Sequence, residues 1–192
     1  IKANQIFQHF VDAQHNIESL ADSLSLLIEK QGLEAAIIEV DLNGQSLFSR
    51  YIERNGYNDL FLLDIEGYNF YSVTQEADYQ TNLVTGIYHT SGLGEVVQKT
   101  IADGQYHISD FAPYAPSNGD PAAFIAAPVK VQGDVVMILA MQFSLDGINN
   151  IMAERTGMGD SGETYLVGAD LLMRSDSFLD PTYHSVQASF AN

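Results

Sequence analysis

The 192-residue chain is 46% hydrophobic and 17% charged, enough apolar material for one sizeable core and too little charge for a disordered polyelectrolyte. Its 25 acidic and 8 basic residues give a formal net charge of −17. Such a surface repels nucleic-acid phosphates and anionic lipid headgroups, and it admits cations, amines and basic partners or simply keeps the domain soluble.

With no cysteine in the chain, disulfides, thiolate metal sites and cysteine nucleophiles are excluded. No window approaches about 20 consecutive apolar residues, so no segment is long enough to span a bilayer. The chain starts at Ile1 without a basic n-region and stops at Ala191-Asn192. It reads as a piece of a longer protein, of the kind found between membrane spans.

Residues 1–31 predict one long amphipathic helix. Ile6, Phe10, Ala13, Ile17, Leu20, Leu24 and Leu27 recur in steps of four and three, the spacing of a single buried stripe. Gly32 is placed to end the helix. The stripe suits either a helix lying on its own domain or a dimer seam. Residues 33–54 read as two short helical pieces about an Asp41-Leu42-Asn43-Gly44 turn.

From Gly56 the period changes to two. Asp59–Asp64 and Tyr68–Val73 read as a hairpin about Glu66-Gly67. Residues 75–90 are polar and irregular. Thr90-Ser91 offers caps for a helix through Ala102, closed by Asp103-Gly104. Three strands are then expected, at Tyr106–Tyr114, Ala122–Val131 and Val135–Ser144, with a two-proline loop between the first two and a turn at Gln132-Gly133-Asp134. Ser144 begins a helix through about Arg155, and Glu163–Val167 with Leu171–Arg174 suggest a last hairpin.

This order predicts an α+β fold: a long N-terminal helix followed by a PAS-like five-stranded antiparallel sheet, with helical material between strands two and three. The plan leaves a cavity between one sheet face and the intervening loop. Residues 1–55 form an N-terminal helical segment, 56–157 a ligand-binding module, and 158–192 a C-terminal hairpin and tail.

Gly159-Asp160-Ser161-Gly162 copies the tetrapeptide around a trypsin-like serine. None of His9, His15, His89, His107 and His184 stands in a recognisable catalytic context, so a turn is the sounder reading. Gly92-Leu93-Gly94 resembles half of a phosphate loop but lacks the third glycine and the lysine. There is no EF-hand spacing and no His-x-x-x-His pair. No catalytic residue, metal site or cofactor is expected.

Several blocks in series resemble the Cache sensor domain of bacterial methyl-accepting chemotaxis proteins. They are Gly56–Asp64 with Tyr71-Ser72-Val73, Asp78–Leu83, Ile108–Ser117, Pro121–Pro128, and Gly159–Gly168 with Met173–Ser177. The resemblance implies a periplasmic or extracellular sensor of an inner-membrane receptor, held between two membrane spans absent from this chain and homodimeric in the full receptor. It implies a small-molecule ligand in the PAS-like pocket and a signal passed through the terminal helices. Residues 158–192 would then begin a membrane-proximal module. Similar sensors occur on histidine kinases and nucleotide cyclases, and a structural domain without ligand is a further alternative. Amino-acid-binding members carry an arginine for the ligand carboxylate, whereas here Lys99 and Lys130 are the only Lys or Arg between Tyr57 and Phe143. A neutral or cationic ligand is therefore favoured.

Tyr106, Ile108, Asp110 and Tyr114 share one face at period two in the expected third strand. That would set the Asp110 carboxylate among aromatic rings facing the cavity, where it suits an ammonium or a polar neutral ligand. Tyr71, Tyr79, Tyr88 and Phe124 are candidates to line the same cavity.

Overall fold

The computed structural model describes residues 1–36 and 47–191. Helix α1 (Lys2–Gln31) has no internal proline and stops where Gly32, at φ 86°, donates its N–H to the Ile28 carbonyl at 2.8 Å. Its buried stripe, Ala13, Ile17, Leu20, Ala21, Leu24 and Ile28, lies along the sheet. Of the two sequence readings, the helix packs on its own domain. Helix α2 (Leu47–Asn55) adds Phe48 and Ile52 to the same layer. The expected Asp41–Gly44 turn lies outside the described residues.

Seven strands follow: β1 (Tyr57–Leu63), β2 (Asn69–Ser72), β3 (His107–Ile108), β4 (Ala112–Pro113), β5 (Pro121–Ala122), β6 (Phe124–Val131) and β7 (Asp134–Phe143). Helix α3 (Gly92–Asp103) stands between β2 and β3. Helices α4 (Leu145–Met152) and α5 (Val186–Ala191) come after β7. The main sheet has the order β2-β1-β7-β6-β3, and every pairing in it is antiparallel. This is the α+β, PAS-like plan expected from the sequence.

Both faces of the sheet are covered. Leu60, Leu62, Ile125, Ala127, Val129, Met137, Leu139 and Met141 face α1, α2 and α4 in the larger core. Phe61, Leu63, Phe124, Ala126, Ile138 and Ala140 face α3 and the 73–91 segment, meeting Leu83, Leu93, Val96 and Val97. Double burial explains why β1, β6 and β7 read as nearly continuous apolar runs rather than alternating ones. Helix α3 is capped as its sequence suggests: Ser91 Oγ accepts from Gly94 N at 3.1 Å, and Gly104 closes it at φ 65°.

Two strand expectations need correction. The segment Tyr106–Tyr114 is not one strand. It pairs with β6 only at His107 and Ile108, leaves the sheet at Ser109, and re-forms as β4 in a separate ladder with β5. Ser109 ends the pairing by holding Phe124 from both sides, donating its N–H to the Phe124 carbonyl and accepting the Phe124 N–H on Oγ. The C-terminal hairpin reduces to one bridge, Val167 to Met173.

Candidate functional site

The upper sheet face, under α3 and the 73–91 segment, is apolar along most of its length and becomes polar at one end. Asp59, Gln142 and Phe124 form a row across β1, β7 and β6, since Gln142 pairs with both Asp59 and Phe124. Asp59 reaches this face because of a bulge. The β1–β7 register slips between Tyr57 and Asp59, with Asn58 as the extra residue. Without it Asp59 would share the face of Tyr57, which packs in the lower core.

Buried Asp59 fastens the start of the crossing segment to the sheet. Its Oδ1 accepts from Leu60 N at 2.7 Å, Val73 N at 3.0 Å and Thr74 N at 3.2 Å. Its Oδ2 accepts from Ser72 Oγ at 2.8 Å and Thr74 Oγ1 at 2.5 Å. Burial pushes the Asp59 carboxyl above its ordinary range, against the pull of these hydrogen bonds.

Asp78 is fully buried four residues beyond Thr74. Its Oδ2 accepts the Tyr114 hydroxyl, while Oδ1 has no donor. Burial, with the charges of Asp59 and Glu76 added, raises its carboxyl from 3.8 to about 6, opposed by the Tyr114 bond. The Tyr114 phenol is raised in turn, by burial and by Asp78. Asn69, on β2, donates Nδ2–H to the Asp78 backbone carbonyl at 3.1 Å and also leaves its side-chain oxygen without a donor. Each of these two buried acceptors goes without a donor, at a cost of about 1–3 kcal/mol apiece. Gln75 and Gln80, on either side of Glu76 and Asp78, hold left-handed backbone at φ 54° and 59°. Strain of that kind collects where surrounding structure fixes a functional conformation.

Neighbours of these residues in the chain, among them Thr74, Glu76 and Ser117, line an opening of about 240 Å³ together with Asn58, Asn118, Asp120, Pro121 and Gln142. Ser117 Oγ donates to Glu76 Oε2 at 2.7 Å, and Gln142 Nε2 stands 3.4 Å from Ser117 Oγ. A second opening of about 380 Å³ shares Asn58, Asp120 and Pro121 and continues to Asp146, Asp176 and Ser185. Both are rich in carboxylates and amides. A guest in the first would meet carboxylates, amides and hydroxyls; the buried Asp78–Tyr114 pair does not line it.

The sequence-derived candidates divide. Tyr114 and Phe124 meet here, their rings 4.7 Å apart edge to face. Tyr88 packs half-buried against the same apolar cluster, and Tyr79 is half-buried within the crossing segment. Tyr71 belongs to the opposite side, edge-on to Phe48 at 5.5 Å. Tyr106 is exposed and lines a separate opening beside α1 with Glu18, Asp22 and Lys130.

Asp110 does not face the cavity. Its side chain is 64% exposed, and it receives Arg174 Nε and Nη2 on its two oxygens at 2.8 Å each. The shared face failed because the strand breaks between Ile108 and Ala112. Arg174 does form a two-pronged carboxylate clamp, but on the protein's own Asp110, with Asp170 as a further partner at 2.7 Å. The residues that sequence reasoning missed are Asp59, Thr74, Glu76, Asp78, Ser117 and Gln142. Only the polar interruption of apolar runs by Asp59 and Gln142 was visible.

The serine-protease-like tetrapeptide is an exposed turn. Arg155 donates to the carbonyls of Gly159, Asp160 and Gly162 and shapes it around Ser161. Among the described residues no group of three or more acidic or histidine side chains is placed to hold a metal ion, and no helix is long and apolar enough to cross a membrane.

No family model and no curated protein matches the chain. Solved structures do. The ligand-binding domain of the Pseudomonas fluorescens chemoreceptor CtaA, in complex with L-serine, superposes at TM-score 0.61 and 16% identity, covering 100% of this chain and 74% of that one. The ligand-binding domain of the Pseudomonas aeruginosa PAO1 amino-acid chemoreceptor PctC, in complex with GABA, does so at 0.62 and 16%, covering 96% and 75%. The sensor domain of the V. cholerae histidine kinase DctB is similar at 0.54 and 16%, covering 78% and 54%. At such identities the likeness speaks to the fold, and this chain has the PAS-like Cache fold of those ligand-binding and sensor domains.

Proposed function

We propose that this chain is an extracytoplasmic sensor domain of a transmembrane chemotaxis receptor, and that it binds a small molecule, neutral or cationic, at the polar end of its upper sheet face. The observation that carries this reading is the polar opening bounded by Thr74, Glu76, Ser117 and Gln142, at the end of the upper face where the crossing segment leaves β2. A solvent-reachable hollow lined by carboxylate, amide and hydroxyl side chains offers the convergent polar groups that orient a small ligand.

In this reading Tyr114, Phe124 and Tyr88 support the site from within the packed upper core and do not line the opening themselves. On the same reading residues 56–157 make the binding module, residues 1–55 are the N-terminal helical segment packed against it, and residues 158–192 begin a membrane-proximal part. The related proteins were solved with L-serine and GABA, each of which has an ammonium group and a carboxylate. Here Lys99 is paired with Glu95 at 2.6 Å, and Lys130 lines the other opening, beside α1. The cationic grip a ligand carboxylate would need is not supplied by either.

A ligand can signal only by binding two states of the domain unequally. The 73–91 segment is the element it would bias, because that segment spans the site and is tied to the sheet through Asp59, Asn69 and Asp78. The shift would pass to α1 or to the C-terminal exit of a homodimeric receptor. The likeness to the DctB sensor domain supports a second output, a histidine kinase, with the same binding role. Calorimetric titration of the chain with a metabolite panel tests the reading: saturable binding, weakened by Ser117→Phe, is the expected result. Cysteine crosslinking along residues 10–27 in the intact receptor, with and without that ligand, tests the transmission.

A further inference from the structure

Helix α1 is fastened to helix α4 at two places. At the first, Lys2 Nζ donates to the carbonyl of Met152, the last residue of α4, at 2.5 Å and to Thr164 Oγ1 at 2.6 Å. At the second, two turns along α1, the His9 ring lies on Gly147 in the first turn of α4. A Cβ on Gly147 would stand 2.9 Å from His9 Cε1 and 3.3 Å from its Nε2. The ring is seated only because that position is glycine, a poor helix former. Phe10 and Phe143 complete the socket, their ring centroids 5.7 and 6.1 Å from that of His9.

The two fastenings differ in kind. The ammonium of Lys2 is matched by acceptors. His9 Nε2 is buried and has no hydrogen-bond partner among the described residues. A neutral imidazole can leave that nitrogen a bare lone pair while the other nitrogen carries the proton. An imidazolium cannot, because both of its nitrogens are donors. Its Nε2–H would stand without an acceptor against the first turn of α4, where the helix dipole is positive. The groups around the ring do not answer that charge. On α1, Asp12 is the one charged residue three or four positions away; it is exposed and accepts from Gln8 Nε2 at 2.8 Å. Lys2, at the far end of the junction, is itself a cation. On α4, Asp146 lines the second opening. Strand β7 presents Phe143, and β1 presents Tyr57, whose hydroxyl accepts from Asn16. Burial accordingly holds the His9 imidazole below its ordinary value of 6.5, with Asp12 pulling the other way.

We propose that the α1–α4 junction is a proton-operated latch: neutral His9 keeps the start of α1 seated on Gly147, and a proton on Nε2 expels the ring and parts the two helices there. The released ring binds its proton more tightly than the seated one. Seating is therefore complete above the ordinary histidine range and is lost as pH falls below it. Asp78 acts in the opposite sense, favouring the folded state in acid, so global stability does not report the latch and a local readout is needed. The latch is a property of the chain itself and holds whether or not the opening at Glu76 and Ser117 takes a ligand. Through it α1, the element to which the sensor reading passes its signal, would respond to acidification.

The test is NMR of the chain from pH 7.5 to 4.5, following the His9 ring nitrogens and the backbone amides of residues 147–152. The expected result is a His9 midpoint below that of the urea-unfolded chain, with the α4 amides shifting at the same midpoint. Their hydrogen exchange, corrected for the intrinsic rate, should rise by roughly tenfold or more in acid. His9→Leu, which cannot take up a proton, should abolish that rise. Gly147→Ala, which leaves no room for the ring, should give fast exchange at every pH. The titration of the native chain decides the matter even if neither variant folds. A His9 midpoint equal to the unfolded one, α4 amides that ignore the His9 titration, or an acid rise that persists in His9→Leu would each overturn the latch. None of these outcomes bears on ligand binding at the opening, so the sensor reading stands or falls separately.

Discussion

Arg174 reaches back 64 positions to Asp110 and holds both its carboxylate oxygens at 2.8 Å, so that the segment following α4 is fastened to the corner where β3 leaves the sheet. The arginine is 93% covered while the aspartate is mostly exposed, and the two ends are therefore unequal. Arg174 also donates to the carbonyls of Leu172 and Met173 and lies over the Phe190 ring at 5.3 Å. Asp110→Asn should cost well under ~1 kcal/mol, because an exposed partner contributes little and Asp170 remains. Arg174→Ala should cost roughly 2 kcal/mol or more, since the buried fork, its packing and its backbone bonds go together. Arg174→Lys should not restore it, lacking the planar fork. Denaturant unfolding ranks the three, and hydrogen exchange over residues 163–191 should rise in Arg174→Ala but not in Asp110→Asn.

Asp78 gives the domain an unusual pH dependence. Its carboxyl titrates at about 6 in the folded protein against 3.8 when unfolded, so between those values the folded state holds a proton that the unfolded chain releases. The stabilisation is complete below about pH 4 and is lost as pH rises through 6. A two-unit shift bounds the effect at roughly 3 kcal/mol. Asp59, also raised, acts in the same direction. Asp78→Asn should flatten the stability curve between pH 4 and 7 and gain on the native chain at pH 7.5. Urea midpoints at half-unit pH intervals provide the check.

Tyr114→Phe removes the one side-chain donor to Asp78 while leaving the ring on Phe124. Leaving the buried carboxylate oxygen without that donor should cost about 1–3 kcal/mol at pH 7.5. The cost should fall when Asp78 is already asparagine, so a double-mutant cycle should return a coupling of 1 kcal/mol or more, roughly, between the two positions.

Gly94 is fixed by crowding rather than by phosphate chemistry. A Cβ there would stand 2.5 Å from the His89 carbonyl oxygen and 2.7 Å from that of Tyr88. Helix propensity favours alanine over glycine by about 1 kcal/mol, yet the clash is with backbone and cannot be relieved by a rotamer change. Gly94→Ala should lose roughly 2 kcal/mol, a fall of about 4–8 °C in Tm for a domain of this size.

Much of the fold was legible because it rests on local periodicity. The stripe Ala13, Ile17, Leu20 and Leu24, the Ser91 and Gly104 ends of α3, and the apolar runs of β1, β6 and β7 each signal through neighbours in sequence. The site was less so. Asp59 faces it only through a one-residue bulge at Asn58. Asp78 lies in a segment without period, and its partner Tyr114 is 36 positions away. Asp110 was misjudged because period two was carried through Ser109, where pairing to β6 stops, and because the arginine that claims Asp110 comes from beyond the sheet.

The central claim is that the opening bounded by Thr74, Glu76, Ser117 and Gln142 admits a ligand. A thermal-unfolding screen of the chain against a broad metabolite library addresses it directly. At a hundred times its dissociation constant a true ligand should add about 2.7 kcal/mol of stability, and Ser117→Phe, which plugs the opening, should abolish that gain while leaving the unliganded Tm nearly unchanged. Stabilisation that survives the plug, or its absence across the library, would contradict the account.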